Sequence, residues 1–288
     1  MWDTIAAHIS KVTGEKFQIT ERRAVGGGCI NQGYALASAS LTYFVKINRA
    51  VDIAMFEAEA LGLQQIWETR TIRVPKPICW GTAGSSAYLV LEWLDLGGRG
   101  NEHSWYEMGR QLAALHRFSG KNQFGWDMNN TIGSTPQINT WTKNWAEFWA
   151  EYRIGYQLKL AKRRGGQFSN CARLLQAIPQ ILANHQPQPS LVHGDLWGGN
   201  AAVTVTGEPV IFDPATYWGD REVDIAMTEL FGGFSPAFYR GYNEVWPLDS
   251  GYQKRKTLYN LYHILNHFNL FGGGYASQAN RMIQEILN

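Results

Sequence analysis

The chain has 288 residues, of which 45% are hydrophobic and 17% charged, and its formal net charge is +2. The high hydrophobic and low charged fractions exclude intrinsic disorder. The net charge is too small to indicate a nucleic-acid-binding surface. The three cysteines form no C-x-x-C pair, and no apolar stretch approaches the ~20 residues that span a bilayer. We therefore expect a soluble cytoplasmic protein that lacks a disulfide framework and binds neither nucleic acid nor membrane.

The first third of the chain predicts one helix, several strands and a second helix. Apolar residues from Ile5 to Val12 recur at helical spacing, and Gly14 ends this pattern. Asp52 is the expected N-cap of the second helix. The strand patterns cover residues 17–25, 34–38, 41–47 and 87–92, and the second helix covers 52–67.

A glycine-rich segment separates two of these strands, with Gly26, Gly27 and Gly28 standing directly before Cys29. Glycines let backbone N–H groups approach phosphate oxygens, although a glycine-rich turn also joins many ordinary hairpins. The position before a strand that carries a lysine favours the phosphate role. Cys29 is either a small buried side chain or a redox-active thiol, and both interpretations stay open.

Lys46 lies in the strand pattern of residues 41–47, and the helix after it carries Glu57 and Glu59. A strand lysine held by a helix glutamate grips the ATP phosphates in kinases. Glu59 is favoured as the partner, because apolar residues four and seven positions later place it on the packed face of the helix. Glu57 stays an alternative.

The chain changes character after the strand pattern that ends at Glu92. The backbone of Glu92, Trp93 and Leu94 is expected to bind an adenine edge, and a glycine-rich stretch without periodicity follows. Helical patterns cover 105–118, 141–163, 169–184, 222–231, 235–246, 252–270 and 275–287, with short strands at 190–193 and 201–212.

This order of patterns predicts an α+β, two-lobed, protein-kinase-like fold. We expect a small antiparallel β-rich N-lobe over residues 1–91 and a hinge or linker over 92–101. A larger, mostly helical C-lobe over 102–288 is expected to carry the catalytic loop and the substrate site.

The residues that indicate chemistry lie in the segment His193-Gly-Asp-Leu-Trp-Gly-Gly-Asn200 and at Asp213. The spacing from Asp195 to Asn200 lets one loop present a base and a metal ligand to the same phosphate. Asp213 ends an apolar strand and suits a second Mg²⁺ ligand. Phosphoryl transfer needs positioning and charge neutralisation, so these residues predict an ATP-dependent kinase centre.

Three nearby residues have structural interpretations. No second histidine stands at ligand spacing from His193, which favours a hydrogen-bonded structural role over a metal site. His116 is expected to pack in the core. Asp224 begins a helical pattern, either as an N-cap or as a brace for backbone N–H groups of the catalytic loop.

Together these motifs resemble the fructosamine kinase, or ketosamine-3-kinase, family, which is related to aminoglycoside and choline phosphotransferases. The likeness covers nearly the whole chain, and the Leu-Trp-Gly-Gly insert between Asp195 and Asn200 is its most discriminating part. The other matching segments are 26–31, 55–60, 129–133 with Gln137 and Asn139, and 217–224.

The resemblance implies transfer of the ATP γ-phosphate, with Mg²⁺, to the 3-hydroxyl of a ketosamine. The phosphorylated product is unstable, which connects the family with repair of glycated proteins or amines. In this interpretation Asp195 accepts the proton, Asn200 and Asp213 hold Mg²⁺, and Lys46 grips the phosphates. Trp197 is a candidate to stack on the sugar or its amine substituent, and Trp197 and Trp218 both favour a sugar ring as the acceptor.

The chain departs from protein kinases, because Gly194 replaces the arginine of H-R-D and there is no A-P-E segment. These differences argue against a protein kinase controlled by phosphorylation. A kinase for an aminoglycoside, choline or a sugar is one alternative, and a nucleotide-binding pseudokinase is another. The physiological amine, free or protein-bound, stays open, as does the choice between monomer and homodimer.

Overall fold

Strands gather in the first third of the computed structural model, which describes residues 1–26, 30–98 and 100–288, and helices dominate the rest. The strands are β1 Glu21–Val25, β2 Gln32–Ala37, β3 Thr42–Arg49, β4 Pro77–Ala83, β5 Ser86–Glu92, β6 Asn130–Ile132, β7 Thr135–Gln137, β8 Ser190–Val192, β9 Ala201–Val203, β10 Pro209–Ile211 and β11 Tyr217–Gly219. The helices are α1 Trp2–Thr13, α2 Ile53–Thr69, α3 Glu102–Arg117, α4 Trp145–Phe148, α5 Tyr156–Arg163, α6 Cys171–Ile181, α7 Glu222–Leu230, α8 Pro236–Val245, α9 Tyr252–Phe271 and α10 Tyr275–Leu287, and a π-helix, Trp149–Gly155, joins α4 to α5.

The N-terminal sheet has five antiparallel strands in the order β1-β2-β3-β5-β4. Helix α1 packs against β4 and buries Ile5 and Ile9 completely, because both fall on one face of the helix. Gly14 ends α1 in the left-handed conformation at φ 76°, as its place after the apolar pattern predicts. Helix α2 covers β4 and β5, so the sheet and α2 form the N-lobe.

Several local features of the fold differ from those that the sequence predicts. Strand β4 is not among the predicted strands, because Pro75 and Pro77 interrupt the pattern. Pro77 is the first residue of this edge strand, where the missing N–H costs least. Asp52 does precede α2, but its carboxylate accepts from the Arg49 guanidinium at 2.8 Å and caps no helix N–H. The short strands β6, β7 and β11 are also unpredicted.

Helices α3 and α8 form a close contact in the C-terminal part. A Cβ atom on Gly109 of α3 would lie 2.0 Å from the carbonyl oxygen of Phe238, and one on Gly241 of α8 would lie 2.0 Å from that of Tyr106. Any larger side chain at either position would therefore force the helices apart. This approach brings Tyr242, the residue after Gly241, beside α3.

Two short antiparallel pairs carry the predicted catalytic motif. Strand β9 starts directly after Asn200, and β10 ends two residues before Asp213, with Ala201 paired to Ile211. An antiparallel hairpin places the start of its first strand beside the end of its second. Asn200 and Asp213 are therefore brought to the same end, while β8, paired with β11, leads into Asp195.

An ion-pair network fastens the loop before β8 to the start of α7. The Nε2 atom of His185 lies 2.6 Å from Asp220 Oδ2, which also accepts from the Tyr259 hydroxyl at 2.6 Å. Both carboxylate oxygens of Glu222 accept from Arg255, each at 2.7 Å. These oxygens are therefore satisfied, and the cluster is an ion-pair network rather than a metal site.

We expect His185 to make the stability of the protein depend on pH. Burial would lower the pKa of His185, but the hydrogen bond and charge of Asp220, with the charge of Glu222, raise it above its ordinary value. Arg255 opposes this effect. Protonated His185 therefore stabilises the fold fully below the unfolded pKa of about 6.5, and this contribution is lost as pH rises through the folded pKa.

The measurement is the free energy of unfolding of the wild type and of His185→Gln between pH 6 and pH 9. The variant should lose roughly 1–2 kcal/mol more, relative to the wild type, at pH 6 than at pH 9. His103→Gln, at an exposed position of α3, is the matched control. An equal loss at both ends of the range would contradict the expectation.

In the described part of the chain, no helix is both long enough and apolar enough to cross a membrane.

Candidate active site

Lys46 connects the N-lobe to the strand-terminal carboxylate of the C-lobe. Its Nζ atom donates to Glu59 Oε1 at 2.6 Å and to Asp213 Oδ1 at 2.5 Å. The predicted pairing with Glu59 is confirmed, and the alternative partner, Glu57, is exposed. Burial would lower the pKa of Lys46, but the two carboxylates raise it above its ordinary value, so Lys46 stays charged.

Asp195 and Asn200 face each other across the loop after β8. The Asn200 amide nitrogen donates to the Asp195 carbonyl at 2.8 Å and to its carboxylate at 3.3 Å. These bonds orient the amide, so its nitrogen is used by the loop and its Oδ1 is left as the oxygen available to a cation. The described loop therefore presents two oxygen-bearing side chains at one end of the β9–β10 hairpin.

The Asp195 carboxyl is electrostatically unusual. Burial, together with the negative charges of Asp213 and Asp224, raises its pKa to about 7, although the Asn200 hydrogen bond works in the opposite direction. A carboxylate that binds a proton near neutral pH is a better proton acceptor than an ordinary aspartate. A raised pKa of this kind is what a candidate general base requires.

Asp224 braces the catalytic loop from behind. It is the third residue of α7 and not its N-cap, so the bracing alternative applies. One carboxylate oxygen accepts from the His193 N–H at 2.7 Å and the other from the Gly194 N–H at 2.8 Å. Burial would raise the pKa of Asp224, but His116, His193 and the Gly194 N–H hold it below its ordinary value.

His193 is completely buried and has a structural role, as predicted. Its Nδ1 atom accepts from the Asp195 N–H at 3.2 Å, so the ring proton sits on Nε2, which donates to the Phe212 carbonyl at 2.9 Å. Gly194 is required by geometry, because its φ is 82° and a Cβ would lie 2.2 Å from the Ala215 carbonyl oxygen. This contact explains the glycine where protein kinases have arginine.

His116 does more than the packing that the sequence predicts. Its Nε2 atom donates to Asp224 at 3.0 Å, and its Nδ1 atom accepts from the Tyr242 hydroxyl at 2.8 Å. The close α3–α8 contact makes this chain of hydrogen bonds possible. Helix α3, through His116, therefore holds the Asp224 carboxylate, and helix α8, through Tyr242, holds His116.

A buried amide network supports the segment that follows Asp213. Asn130 donates to the Thr216 carbonyl at 2.8 Å, and Gln137 donates to the Ala215 carbonyl at 3.0 Å. Arg153, fully buried in the π-helix, donates to Asn139 at 2.8 Å. The resemblance includes residues 129–133, Gln137 and Asn139, but only the three-dimensional contacts show that Asn130 and Gln137 hold the backbone beyond Asp213.

The three residues predicted to bind adenine lie at the end of β5 and just beyond it. The Glu92 carboxylate accepts from Arg73 and from the Lys76 N–H, so the side chain is used within the protein. The Trp93 indole donates to Asp95 at 2.8 Å, and the Leu94 carbonyl accepts from the Leu96 N–H at 2.9 Å. Adenine binding by this segment stays a prediction.

The two candidate substrate tryptophans have opposite environments. Trp197, in the catalytic loop, is 41% exposed, whereas Trp218 is 1% exposed and lies in the main hydrophobic core. The prediction for Trp218 is wrong, because pairing of β11 with β8 turns its ring inward, where a sugar cannot reach it.

Gly26 of the predicted glycine-rich segment is exposed and follows the end of β1, while Gly27, Gly28 and Cys29 lie outside the described residues.

Sequence comparisons find relatives that match almost the whole chain. The family model described as fructosamine kinase matches residues 1–288. A protein of Synechocystis sp. named a probable ketoamine kinase is 60% identical over 286 residues, which are 99% of this chain and 97% of that protein. The chloroplastic protein-ribulosamine 3-kinase of Arabidopsis thaliana is 48% identical over 95% of this chain and 85% of its own length.

Solved structures share the fold of this chain. A crystal structure from Haemophilus somnus 129PT, provisionally named a fructosamine-3-kinase, superposes with a TM-score of 0.94 at 34% identity over 100% of this chain and 98% of its own. A complex of the aminoglycoside phosphotransferase APH(4)-Ia with ADP and hygromycin B has a TM-score of 0.64 at 14% identity, over 98% of both chains. The predicted α+β, protein-kinase-like fold is thereby confirmed.

Proposed function

The chain belongs to the fructosamine kinase family, and from this premise we propose that it transfers the γ-phosphoryl group of ATP to a sugar hydroxyl of a ketosamine. The 3-hydroxyl is the acceptor that the name of the plant ribulosamine 3-kinase suggests. Phosphorylation at this position produces an unstable sugar phosphate, which leads to removal of the sugar from the amine. In this proposal residues 1–91 form an N-lobe with the glycine-rich loop and the ATP-binding Lys46, and residues 92–101 form the hinge. Residues 102–288 form the C-lobe, which carries the catalytic loop and the substrate site.

One observation carries this proposal: the charged groups of phosphoryl transfer, which lie far apart in the sequence, meet in one place. Lys46 contacts Glu59 and Asp213, and Asp213 stands beside the loop of Asp195 and Asn200. Such a set positions and neutralises a triphosphate, which is most of what kinase catalysis requires.

Asp195 is the proton acceptor in this scheme. The hydroxyl oxygen of the acceptor forms the new bond to the γ-phosphorus while the bond to the ADP oxygen breaks. The hydroxyl proton passes to the Asp195 carboxylate, whose pKa of about 7 suits this transfer near neutral pH. Asp224 and His193 hold the loop so that the carboxylate keeps its position.

The residues present fit Mg²⁺. Asn200 Oδ1 and the Asp213 carboxylate would supply hard oxygen ligands, and both ring nitrogens of the nearby His193 are already used in hydrogen bonds. When bound, Mg²⁺ neutralises developing charge on the phosphates. The positive charge of Lys46 would share this task, and Glu59 would hold its Nζ atom in place beside Asp213.

Trp197 is the proposed contact for the sugar or its amine substituent. Trp197 is 41% exposed and lies two residues after Asp195 on the same loop, so part of its surface is open near the base. An apolar face that stacks on a sugar ring adds binding area without a new charge. The buried Trp218 takes no part.

The test is ATP consumption by the purified chain with fructosamine, ribulosamine and erythrulosamine derivatives of one amine, with product mass measured. We expect a gain of one phosphoryl group on at least one ketosamine, no reaction with the unglycated amine, and loss of turnover on chelation that Mg²⁺ reverses. If the chain phosphorylated an aminoglycoside or choline but no ketosamine, it would be a kinase for one of these other small molecules. ATP binding without turnover on any acceptor would indicate a pseudokinase.

A further inference from the structure

Arg73 lies in the loop between α2 and β4, at a junction between the lobes. Its neighbours Ile72 and Val74 are buried, 5% and 0% exposed, which fixes the backbone of the loop. Its carbonyl accepts from the Ile211 N–H at 3.0 Å, in an isolated parallel bridge to β10. The backbone of Arg73 is therefore attached to the strand that ends two residues before Asp213.

The side chain of Arg73 reaches the start of the hinge, and its Nε atom lies 4.0 Å from Glu208 Oε2 in the turn between β9 and β10. Its guanidinium donates to Glu92 Oε1 at 2.5 Å, and the second carboxylate oxygen of Glu92 accepts from the Lys76 N–H at 3.2 Å. The Glu92 N–H donates in turn to the Lys76 carbonyl at 2.8 Å. Glu92 is thus held by its backbone and by both oxygens of its side chain.

The hinge beyond Glu92 is attached to the same β9–β10 hairpin from its other side. The Val205 N–H donates to the Asp95 carbonyl at 2.9 Å, and the Gly98 N–H donates to the Val203 carbonyl at 3.1 Å. A Cβ on Gly98 would lie 2.0 Å from the Thr204 carbonyl oxygen, so glycine permits this approach. The hinge and the hairpin therefore form a closed unit, in which Arg73 makes the only described side-chain link to Glu92 from the β10 side.

We propose that Arg73 is a positioning residue for ATP, which keeps the adenine-binding hinge in register with the hairpin that carries Asn200 and Asp213. This inference rests on the proposed function. One ATP molecule must place its adenine at the hinge and its phosphates at the hairpin at the same time. If the hinge moved relative to the hairpin, ATP could not keep its adenine contacts and its phosphate contacts at the same time.

The test compares Arg73→Met, which keeps an apolar stem and removes the donors, with the wild type. We expect the KM for ATP to rise about five- to tenfold, which lies within the range for the net loss of one ordinary hydrogen bond. The kcat should change less than about threefold and the KM for the ketosamine should not change, because the acceptor side lacks a contact with Arg73 among the described residues. Arg70→Met, at an exposed position of the same loop, is the matched control.

Two further measurements separate positioning from general destabilisation. Binding of ADP should weaken in Arg73→Met, whereas binding of inorganic tripolyphosphate with Mg²⁺ should not, since only ADP engages the hinge. Glu92→Gln should raise the KM for ATP in the same way, and the double variant should be no worse than either single variant.

Each outcome decides the matter. An ATP KM within twofold of the wild type in both single variants overturns the inference, and so does equal weakening of ADP and tripolyphosphate. Additive effects in the double variant would also overturn it, because the two residues would then act separately. If the wild type itself neither binds nor uses ATP, the proposed function fails first, and this result is distinguishable from the others.

Discussion

Asp195→Asn is expected to lower kcat by roughly 10² or more, the scale typical of a lost general base, while ATP binding stays nearly unchanged. The amide has almost the shape of the carboxylate, and its oxygen can still accept from Asn200. It cannot take up the acceptor proton. Because the variant also removes a negative charge beside Asp213, the nucleotide should bind at least as well as before.

The measurement pairs steady-state kinetics on a reactive ketosamine with calorimetric titration of ADP and Mg²⁺. Asp3→Asn, at an exposed position of α1, controls for the loss of one carboxylate elsewhere in the chain. Full activity of Asp195→Asn would remove Asp195 from the role of base. A large loss of nucleotide affinity with unchanged kcat would instead move it to the nucleotide site.

Asp224→Ala is expected to destabilise the protein by about 3–5 kcal/mol, the cost of leaving buried partners of a charge unsatisfied. The His193 and Gly194 N–H groups and the His116 ring would all lose their acceptor in the core. For a chain of this size the midpoint of thermal unfolding should fall by roughly 5–10 °C. Turnover should fall too, because the loop that presents Asp195 loses its anchor.

Thermal unfolding and kcat measured together test this expectation. Asp213→Asn is the matched control, since it changes an exposed aspartate of the same centre and asparagine tolerates the left-handed backbone there, at φ 57°. It should impair turnover with little change in the unfolding midpoint. An unchanged midpoint in Asp224→Ala would show that the loop is held by other contacts.

The candidate catalytic residues could be identified from the sequence because they carry local signals. The spacing from Asp195 to Asn200, the strand before Asp213 and the helical periodicity that singles out Glu59 all lie within short windows. The Lys46–Glu59 pair could be predicted for the same reason, since thirteen positions separate the two residues and each lies in a regular element. Strand β4 was not predicted because it begins with a proline, although the first residue of an edge strand can be proline.

Hydrogen bonds between distant segments could not be inferred in this way. His116 meets Tyr242 across 126 positions, and Gln137 meets Ala215 across 78. Each bond exists because packing of whole helices brings two polar groups into a buried space where both need a partner. The residue pattern of one segment contains no information on where the other segment lies in the folded protein.

The sequence by itself determined the fold class, the kinase centre and the family likeness, because periodicity and motif spacing are local properties of the chain. Only the tertiary structure decided which of two tryptophans is open to a substrate. Trp197 and Trp218 are the same residue type near the same motif, yet strand pairing buries one and a loop exposes the other. Only the tertiary structure shows that Asp224 holds the loop before Asp195 and that Arg73 bonds to Glu92 at the start of the hinge. Burial and pairing depend on what the rest of the chain packs against each residue, and a local pattern does not contain that information.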